Sequence, residues 1–455
     1  MTDISGLLND LVPPLLDQFQ VPGIAVGTSL EGTRTLSGFG ITSVENPLPI
    51  DADTIFQVGS ISKTMLAAVV AELVKRGALS LDATAVSLLP EPGALDPRIT
   101  IEQLLNHASG IDAQHMIGAA PRLLASGADD SLLAALPHFD TEPLRFPPGT
   151  DFSYSGPGIM VAAAAVEAVT GAYYPDLLRH ELLAPAGMKR TFTTADEVMT
   201  YRVAAPHDLA ADGSARVLHD EGWQRHWQLP SWDVPGGGVL SNVRDLMAYG
   251  EYLLASDVAD VVLKAYRGRG IENQEIGLSW FLDRVDGDLV WSHSGVTVGY
   301  VSQMTVVPSA QLTLAILTNS QAGGLAARKI ERELVRLVTQ IDLRPDLDQR
   351  VEVDLNDFVG VYDNGFYGTI ELTRGDGDGE LIMESKPTVV GEGEFALGSP
   401  SRSVLAAYSA DALIVLRPAE DAGLLVGYVR GPDGRVAALR PGSRLALRSA
   451  VPKSK

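Results

Sequence analysis

The chain has 455 residues, enough for two or three domains at about 150 residues each. Hydrophobic residues account for 45% of the sequence and charged residues for 20%, which is typical of a folded protein and unlike a disordered one. The formal net charge of -22 disfavours nucleic acid and anionic membrane surfaces as partners, and the absence of cysteine excludes disulfides, thiolate nucleophiles and cysteine-ligated metals.

The N-terminal segment lacks the basic stretch and apolar core of a secretory signal. No apolar run reaches the roughly 18 residues that a membrane helix requires. We therefore expect a cytoplasmic protein with no membrane partner.

The first elements are an amphipathic helix, a strand pair and a long apolar helix. Leucines at helical spacing predict a helix over residues 3–18. Strand-like runs near 23–30 and 33–41 are separated by a glutamate and a glycine, which favours a hairpin. A short strand near 55–58 leads into an apolar helix over 61–76.

From about residue 80 to 255 the pattern is mostly helical, with helices predicted over 101–107, 158–170, 175–183 and 242–255. Strands return at 289–293, 299–307 and 312–319, and a helix follows over 322–340. Because strands at both ends of this region bracket a helical middle, one sheet built from both ends and covered by helices accounts for the pattern.

The remainder has a different rhythm. A proline-containing linker with alternating charge, placed at 342–353, precedes short alternating segments split by glycine-rich turns. We therefore predict a domain over residues 1–341 and a separate C-terminal antiparallel β-barrel or sandwich over 354–455.

Ser60 and Lys63 form the most informative motif, Ser-Ile-Ser-Lys. A spacing of three places both on one face of a helix, one turn apart. Ser60 would then stand at the helix N-terminus, where backbone N–H groups favour an alkoxide, and an amine nearby can take its proton. The alternative is a serine cap beside an exposed lysine. A lysine in a first turn opposes the helix dipole, which favours the functional interpretation.

Two later segments add candidates. Tyr154 lies in a tight loop before an apolar helix, and a tyrosine can act as a base where cations stabilise its phenolate. His293, followed by Ser294 and Gly295, ends a strand, where a small residue lets a substrate backbone lie alongside. Taken alone, a loop tyrosine such as Tyr154 is more often an ordinary half-buried aromatic, and a histidine such as His293 is more often an ordinary strand-edge residue.

Together and in this order, the three motifs resemble the serine β-lactamase and penicillin-binding-protein superfamily, for which S-x-x-K is a signature. The resemblance is to class C β-lactamases, D-Ala-D-Ala carboxypeptidases, D-aminopeptidases and related esterases, and it covers about residues 3–340. Four further segments look like landmarks of the same family: 21–25, 104–110, 146–149 and 236–241.

The resemblance implies a β-lactamase/transpeptidase-like α+β fold, with a five-stranded antiparallel sheet flanked by helices and an all-helical lobe. It implies that Ser60 is acylated and that Lys63 and Tyr154 share the proton transfers. The backbone N–H groups of Ser60 and Val296 would form the oxyanion hole, and His293 would line the cleft. The C-terminal segment resembles, more weakly, the lipocalin-like domain appended to some peptidases of this superfamily; it would cap the cleft, mediate assembly or simply stabilise the protein.

Two positions depart from the family pattern. Gly156 stands where the family commonly has an asparagine that hydrogen-bonds the substrate, and His293 replaces the usual lysine with a weaker, pH-dependent positive charge. With Ser294 and Gly295, Gly156 would meet the substrate. These changes favour an ester, an amide or a short peptide, including one with a D-residue, over a β-lactam. A β-lactamase and a catalytically silent regulatory protein remain the alternatives.

No cofactor and no metal are expected, and the partner is a small molecule or short peptide, with homo-oligomerisation left open. The glycines at 236–238 lack the lysine of a phosphate loop. Asp376 and Asp378 lack the other ligands of a calcium loop, which makes a hairpin turn the better interpretation. A loop containing further candidate metal ligands and tryptophans is expected instead to flank the cleft and contact substrate: His219, Asp220, Trp223, His226, Trp227 and Trp232.

Overall fold

The structure, a computed structural model, describes residues 3–112, 131–136, 143–218, 227, 229–365, 368–387, 389–390, 395–396, 400–419 and 421–449. The α-helices of this part are α1 (Ile4–Phe19), α2 (Ile61–Lys75), α3 (Ala85–Leu88), α4 (Ile101–Leu105), α5 (Leu132–Ala135), α6 (Gly156–Thr170), α7 (Tyr174–Leu178), α8 (Ala184–Ala186), α9 (Ala195–Val198), α10 (Val243–Ala255), α11 (Val258–Val262) and α12 (Gly323–Thr339). Wider turns of π-helix occupy Arg179–Leu183 and Val234–Gly238, and tighter 3-10 turns occupy Ser231–Asp233, Pro308–Ala310, Leu355–Asp357 and Pro441–Ser443.

The strands are, in chain order, β1 (Gly23–Leu30), β2 (Thr33–Gly40), β3 (Phe56–Gln57), β4 (His207–Leu209), β5 (Ala215–Val217), β6 (Leu240–Ser241), β7 (Arg267–Gly268), β8 (Gln274–Ile276), β9 (Phe281–Val285), β10 (Asp288–Thr297), β11 (Tyr300–Val307), β12 (Leu312–Thr318), β13 (Gly360–Asp363), β14 (Thr369–Arg374), β15 (Glu380–Lys386), β16 (Val389–Val390), β17 (Phe395–Ala396), β18 (Ser401–Ala407), β19 (Ala412–Arg417), β20 (Leu425–Arg430), β21 (Val436–Arg440) and β22 (Ala446–Arg448).

One antiparallel sheet joins the two ends of the first 340 residues, as the strand pattern predicts. Its order is β2-β1-β12-β11-β10-β9-β8-β7, and β1 pairs directly with β12. The sheet has eight strands, whereas the family resemblance implied five. The five expected strands are β2, β1, β12, β11 and β10, and β9, β8 and β7 extend that edge. These three strands have five residues or fewer, too short for alternation to distinguish them from loop.

Helices cover both faces of the sheet. On one face α1 and α12 pack through Leu8, Val12, Ile330 and Leu334. On the other face lies the larger core, to which α2, α6 and α10 contribute side chains such as Leu66. Helix α2 is buried almost all round, because it runs between the sheet and the helical lobe. Its N-terminus, which carries Ser60, is therefore fixed in the middle of the molecule.

The C-terminal strands form a closed barrel in the order β13-β14-β15-β18-β19-β20-β21-β22, with β22 pairing back to β13. Its interior is filled by apolar side chains, including Phe358, Leu381 and Leu439. The Gly-Asp-Gly-Asp-Gly segment with Asp376 and Asp378 is the turn between β14 and β15, which confirms the hairpin interpretation.

The barrel docks against the segment that precedes α6. Phe146 packs on Ala438 and Leu445 of the barrel, and Arg145 forms ion pairs with Asp112 at 3.1 Å and with Asp363 at 3.2 Å. The barrel is thus in direct contact with the loop that leads to Tyr154. Within the residues that the structure describes, no helix is long and apolar enough to cross a membrane.

Candidate active site

The Ser60–Lys63 pair has the geometry that its spacing predicts. Ser60 occupies the N-cap position of α2, where its side chain makes no capping hydrogen bond, and Lys63 lies one turn later, with only 4% of its surface exposed. The Lys63 Nζ donates to Ser60 Oγ at 2.9 Å and also to the carbonyl oxygen of Gly236. The exposed lysine of the alternative interpretation is therefore wrong. An amine at this distance, when neutral, is placed to accept the serine proton.

The backbone around Ser60 is pressed against strand β10 through two glycines. Gly59 has φ +53°, and a Cβ added there would lie 2.7 Å from the backbone nitrogen of Val296. A Cβ added to Gly295 would lie 3.0 Å from the backbone nitrogen of Ser60 and would overlap the carbonyl oxygen of Val58. Only glycines allow this approach, which brings the Ser60 and Val296 N–H groups onto facing backbones.

Tyr154 lies in the loop before α6 and contacts the pair from the side. Its ring centroid is 5.2 Å from the Lys63 Nζ and 5.9 Å from the ring centroid of His293. Its hydroxyl is buried and has no hydrogen-bond partner among the described residues. Gly156 is the half-buried first residue of α6, next to Ser155, whose hydroxyl accepts from the Gly158 N–H at 3.1 Å.

His293 is 1% exposed, and such burial disfavours the pH-dependent positive charge that the sequence suggested. Burial, helped by the charge of Lys63, lowers the pKa of His293 to about 3. Its Nδ1 lies 2.6 Å from the carbonyl oxygen of Ser294, so this nitrogen carries the proton and Nε2 is an acceptor. Phe281 stacks on the imidazole at 5.1 Å between ring centroids. After His293 along β10, the side chains of Ser294 and Val296 are exposed.

The barrel contributes directly to this site through the turn between β21 and β22. The N–H of Tyr154 donates to the carbonyl oxygen of Ser443 at 2.9 Å. Arg444 donates from Nη1 to the carbonyl oxygen of Tyr154 at 2.7 Å, and its guanidinium lies 4.8 Å from the centroid of the Tyr154 ring. The N–H of Leu445 donates to Ser153 Oγ at 3.1 Å. The C-terminal barrel therefore contacts the loop that carries Tyr154 on both sides of this residue.

Four residues around the site were missed by motif analysis as individual contributors: His107, Asp233, Gly236 and Arg444. His107 and Gly236 lie inside two of the family landmarks, which was the available signal. Burial raises the pKa of Asp233 to about 7, against the opposing effect of Lys63. Arg444 had no local signal, because its contact with Tyr154 joins positions 290 residues apart.

The remaining candidates belong to the loop that was predicted to flank the cleft. Trp232 is buried in the main core, and the Nε1 of Trp227 donates to the hydroxyl of Tyr300 at 2.7 Å. Contact of these tryptophans with substrate stays a prediction. His219, Asp220, Trp223 and His226 lie outside the described residues. A cavity of about 790 Å³ between β9, α12 and the barrel is not lined by Ser60, Lys63, Tyr154 or His293.

Comparison with known proteins identifies related sequences and structures. A family model described as Beta-lactamase matches residues 8–338. Penicillin-binding protein 4 from Amycolatopsis lactamdurans is 29% identical over 335 residues, which cover 69% of this chain and 84% of that protein. Esterase EstB from Burkholderia gladioli is 33% identical over 327 residues, covering 63% of this chain and 83% of that protein. The crystal structure of SurE superposes with a TM-score of 0.71 at 23% identity, covering 98% of both chains.

Proposed function

The chain belongs to the beta-lactamase family, and from this premise we propose that it is a serine hydrolase that cleaves an ester, an amide or a short peptide through an acyl-enzyme on Ser60. One observation carries the proposal: the buried Lys63 donates to Ser60 Oγ at 2.9 Å at the N-terminus of α2. A lysine without a catalytic task would extend its charged end into water.

Acylation uses the side chains of Ser60, Lys63 and Tyr154 and two backbone N–H groups. Ser60 Oγ attacks the carbonyl carbon of the substrate while its proton passes to Lys63 or Tyr154. The N–H groups of Ser60 and Val296 hold the oxyanion of the tetrahedral intermediate. As the bond to the leaving group breaks, the same proton passes to the leaving oxygen or nitrogen, and the acyl group stays on Ser60 as an ester.

Deacylation runs through the same groups. Water attacks the acyl carbon and gives a proton to Lys63 or Tyr154, the bond to Ser60 Oγ breaks, and the serine recovers a proton as the acid leaves. His293, being neutral, lines the cleft beside Tyr154 and holds no substrate carboxylate by charge. Ser294 and Gly295 offer the edge of β10 to the substrate.

The neutral His293 and the glycine at position 156 support a substrate other than a β-lactam, since neither supplies the cation or the amide that those positions commonly hold in the family. The contacts of Ser443 and Arg444 with Tyr154 support a cleft closed on one side by the barrel. This wall favours a small acyl group or a short peptide end, including one with a D-residue.

The proposal is tested by labelling with a fluorophosphonate probe and mapping the adduct by mass spectrometry. One adduct at Ser60 is expected, with none in Ser60→Ala and full labelling in Ser87→Ala, an exposed serine outside the cleft. Labelling that persists in Ser60→Ala would refute the assignment. Turnover of p-nitrophenyl esters, D- and L-aminoacyl p-nitroanilides and nitrocefin then ranks the substrate classes, and slow penicillin acylation without nitrocefin turnover would separate this enzyme from a β-lactamase.

A further inference from the structure

His107 is a buried residue with an uncommon backbone conformation beside the candidate active site. It follows α4, has φ +59° and is fully buried. A left-handed conformation outside glycine costs roughly 1 kcal/mol or more, although histidine is among the side chains that adopt it more often. The sequence pattern predicts a helix through residue 107, but in the structure the helix ends at Leu105 and the backbone of His107 is left-handed.

The turn places two acceptors of His107 against the loop that carries Tyr154. The carbonyl oxygen of His107 accepts from the N–H of Ser153 at 3.0 Å. Its Nδ1 accepts from the N–H of Ser155 at 3.2 Å. The residues immediately before and after Tyr154 are therefore both tied to this one histidine. Its ring also packs on the Tyr154 ring, with 4.5 Å between centroids.

The tautomer of His107 follows from these contacts. Because Nδ1 accepts from an N–H group, the ring proton lies on Nε2. Burial, together with the positive charge of Lys63, lowers the pKa of His107 well below its usual value, so Nδ1 stays available as an acceptor. The Nε2 of His107, the hydroxyl of Tyr154 and the Nε2 of His293 are all buried without a hydrogen-bond partner in the described part of the chain.

We propose that His107 is the positioning residue of Tyr154, which it holds against Lys63 by binding the backbone on both sides of the tyrosine. This inference rests on the proposed serine hydrolase activity, in which Tyr154 shares the proton transfers. The strained backbone is then explained by function, because only the left-handed turn presents both the carbonyl oxygen and Nδ1 to the same loop.

Three substitutions separate positioning from simple packing. Asparagine places an amide oxygen near the position of Nδ1 and tolerates a left-handed backbone, so His107→Asn keeps the bond to Ser155. Glutamine places its amide near Nε2 and loses that bond. His107→Ala removes the side-chain bond to Ser155 and the ring contact with Tyr154, but it keeps the backbone bond from Ser153. His207→Asn is the matched control, because His207 is equally buried but binds Val44 and Asn319 away from the cleft.

The readouts are the rate of fluorophosphonate labelling at Ser60, kcat and KM for a p-nitrophenyl ester, and Tm. His107→Ala and His107→Gln should lose about 10- to 100-fold in labelling rate and kcat, with KM changed less than about threefold, as expected for a misplaced proton-transfer group. His107→Asn should recover to within about threefold of the wild type. The control should change Tm but not kcat.

Labelling of His107→Ala at the wild-type rate would overturn the inference, as would a glutamine variant more active than the asparagine variant. If the alanine variant fails to fold, the comparison of asparagine with glutamine still decides. A wild-type protein that does not label at Ser60 would instead refute the proposed function, so the two failures are distinguishable.

Discussion

Substitution of Gly295 by alanine should abolish the proposed hydrolase activity while leaving the fold in place. The added Cβ would overlap the carbonyl oxygen of Val58 and the hydroxyl of Ser302, which donates to that oxygen at 2.7 Å, and would lie 3.0 Å from the Ser60 nitrogen. Because backbone atoms cannot yield as a flexible side chain does, β10 must retreat from Ser60 by an amount on the order of 1 Å.

The size of the expected loss in kcat follows from the two N–H groups that this movement of β10 would separate. The N–H groups of Ser60 and Val296 lie on the two backbones that would move apart, and loss of one oxyanion donor costs about 100- to 1,000-fold in kcat. Overpacking of this kind lowers the free energy of unfolding by about 1–3 kcal/mol. Since the β10–β11 register around Gly295 and Ser302 is otherwise intact, we expect a folded protein with a slightly lower Tm.

The assay is turnover of a p-nitrophenyl ester together with fluorophosphonate labelling of Ser60. The matched control is Gly324→Ala on α12, where the nearest atom to an added Cβ is Val301 Cγ1 at an ordinary 3.7 Å, and this variant should keep full activity. A Gly295→Ala protein that labels and turns over within about threefold of the wild type would refute an oxyanion hole formed between Ser60 and Val296.

Three further outcomes are expected. Burial holds the pKa of His293 at about 3, so the histidine takes up a proton when the protein unfolds below about pH 6.5. The free energy of unfolding should therefore fall as the pH drops from about 6.5 towards 3. This group contributes at most about 1.4 kcal/mol per pH unit to the fall. Urea denaturation of His293→Gln should show a shallower fall, and identical slopes would contradict a neutral buried imidazole. The pH dependence of stability that Asp233 contributes has the opposite sign. Its pKa is raised to about 7 in the folded protein, so its contribution to stability decreases from about pH 4 to about pH 7. The stability gained on Asp233→Asn should therefore be larger at pH 8 than at pH 5. Arg444→Ala should lower kcat about tenfold, because it removes a hydrogen bond and a cation from Tyr154 that are together worth roughly 1–2 kcal/mol. Arg402→Ala on the barrel surface is the control and should leave kcat unchanged. Equal activities of the two variants would argue against a role of the barrel in the site.

The family, the sheet and the pairing of Ser60 with Lys63 could be predicted from the sequence because each depends on local spacing. A separation of three residues puts Ser60 and Lys63 on one helix turn whatever surrounds the helix. Long alternating runs gave β1, β2, β10, β11 and β12, and frequent turns gave the C-terminal barrel strands. The three short edge strands were beyond such a pattern, because two to five residues are too few to show a period.

Tertiary structure decided which groups surround Ser60 and which charge state their environment favours. His107, Gly236 and Arg444 come from distant parts of the chain, and only folding brings them to Tyr154 and Lys63. His293 looked like a pH-dependent cation in the sequence and is neutral in the fold, because the cost of burying a charge depends on the packing around it. Residue order fixes which groups share a helix turn or a strand. Contact across the cleft and the removal of water from it are properties of the packed chain, and they decide the chemistry of this site.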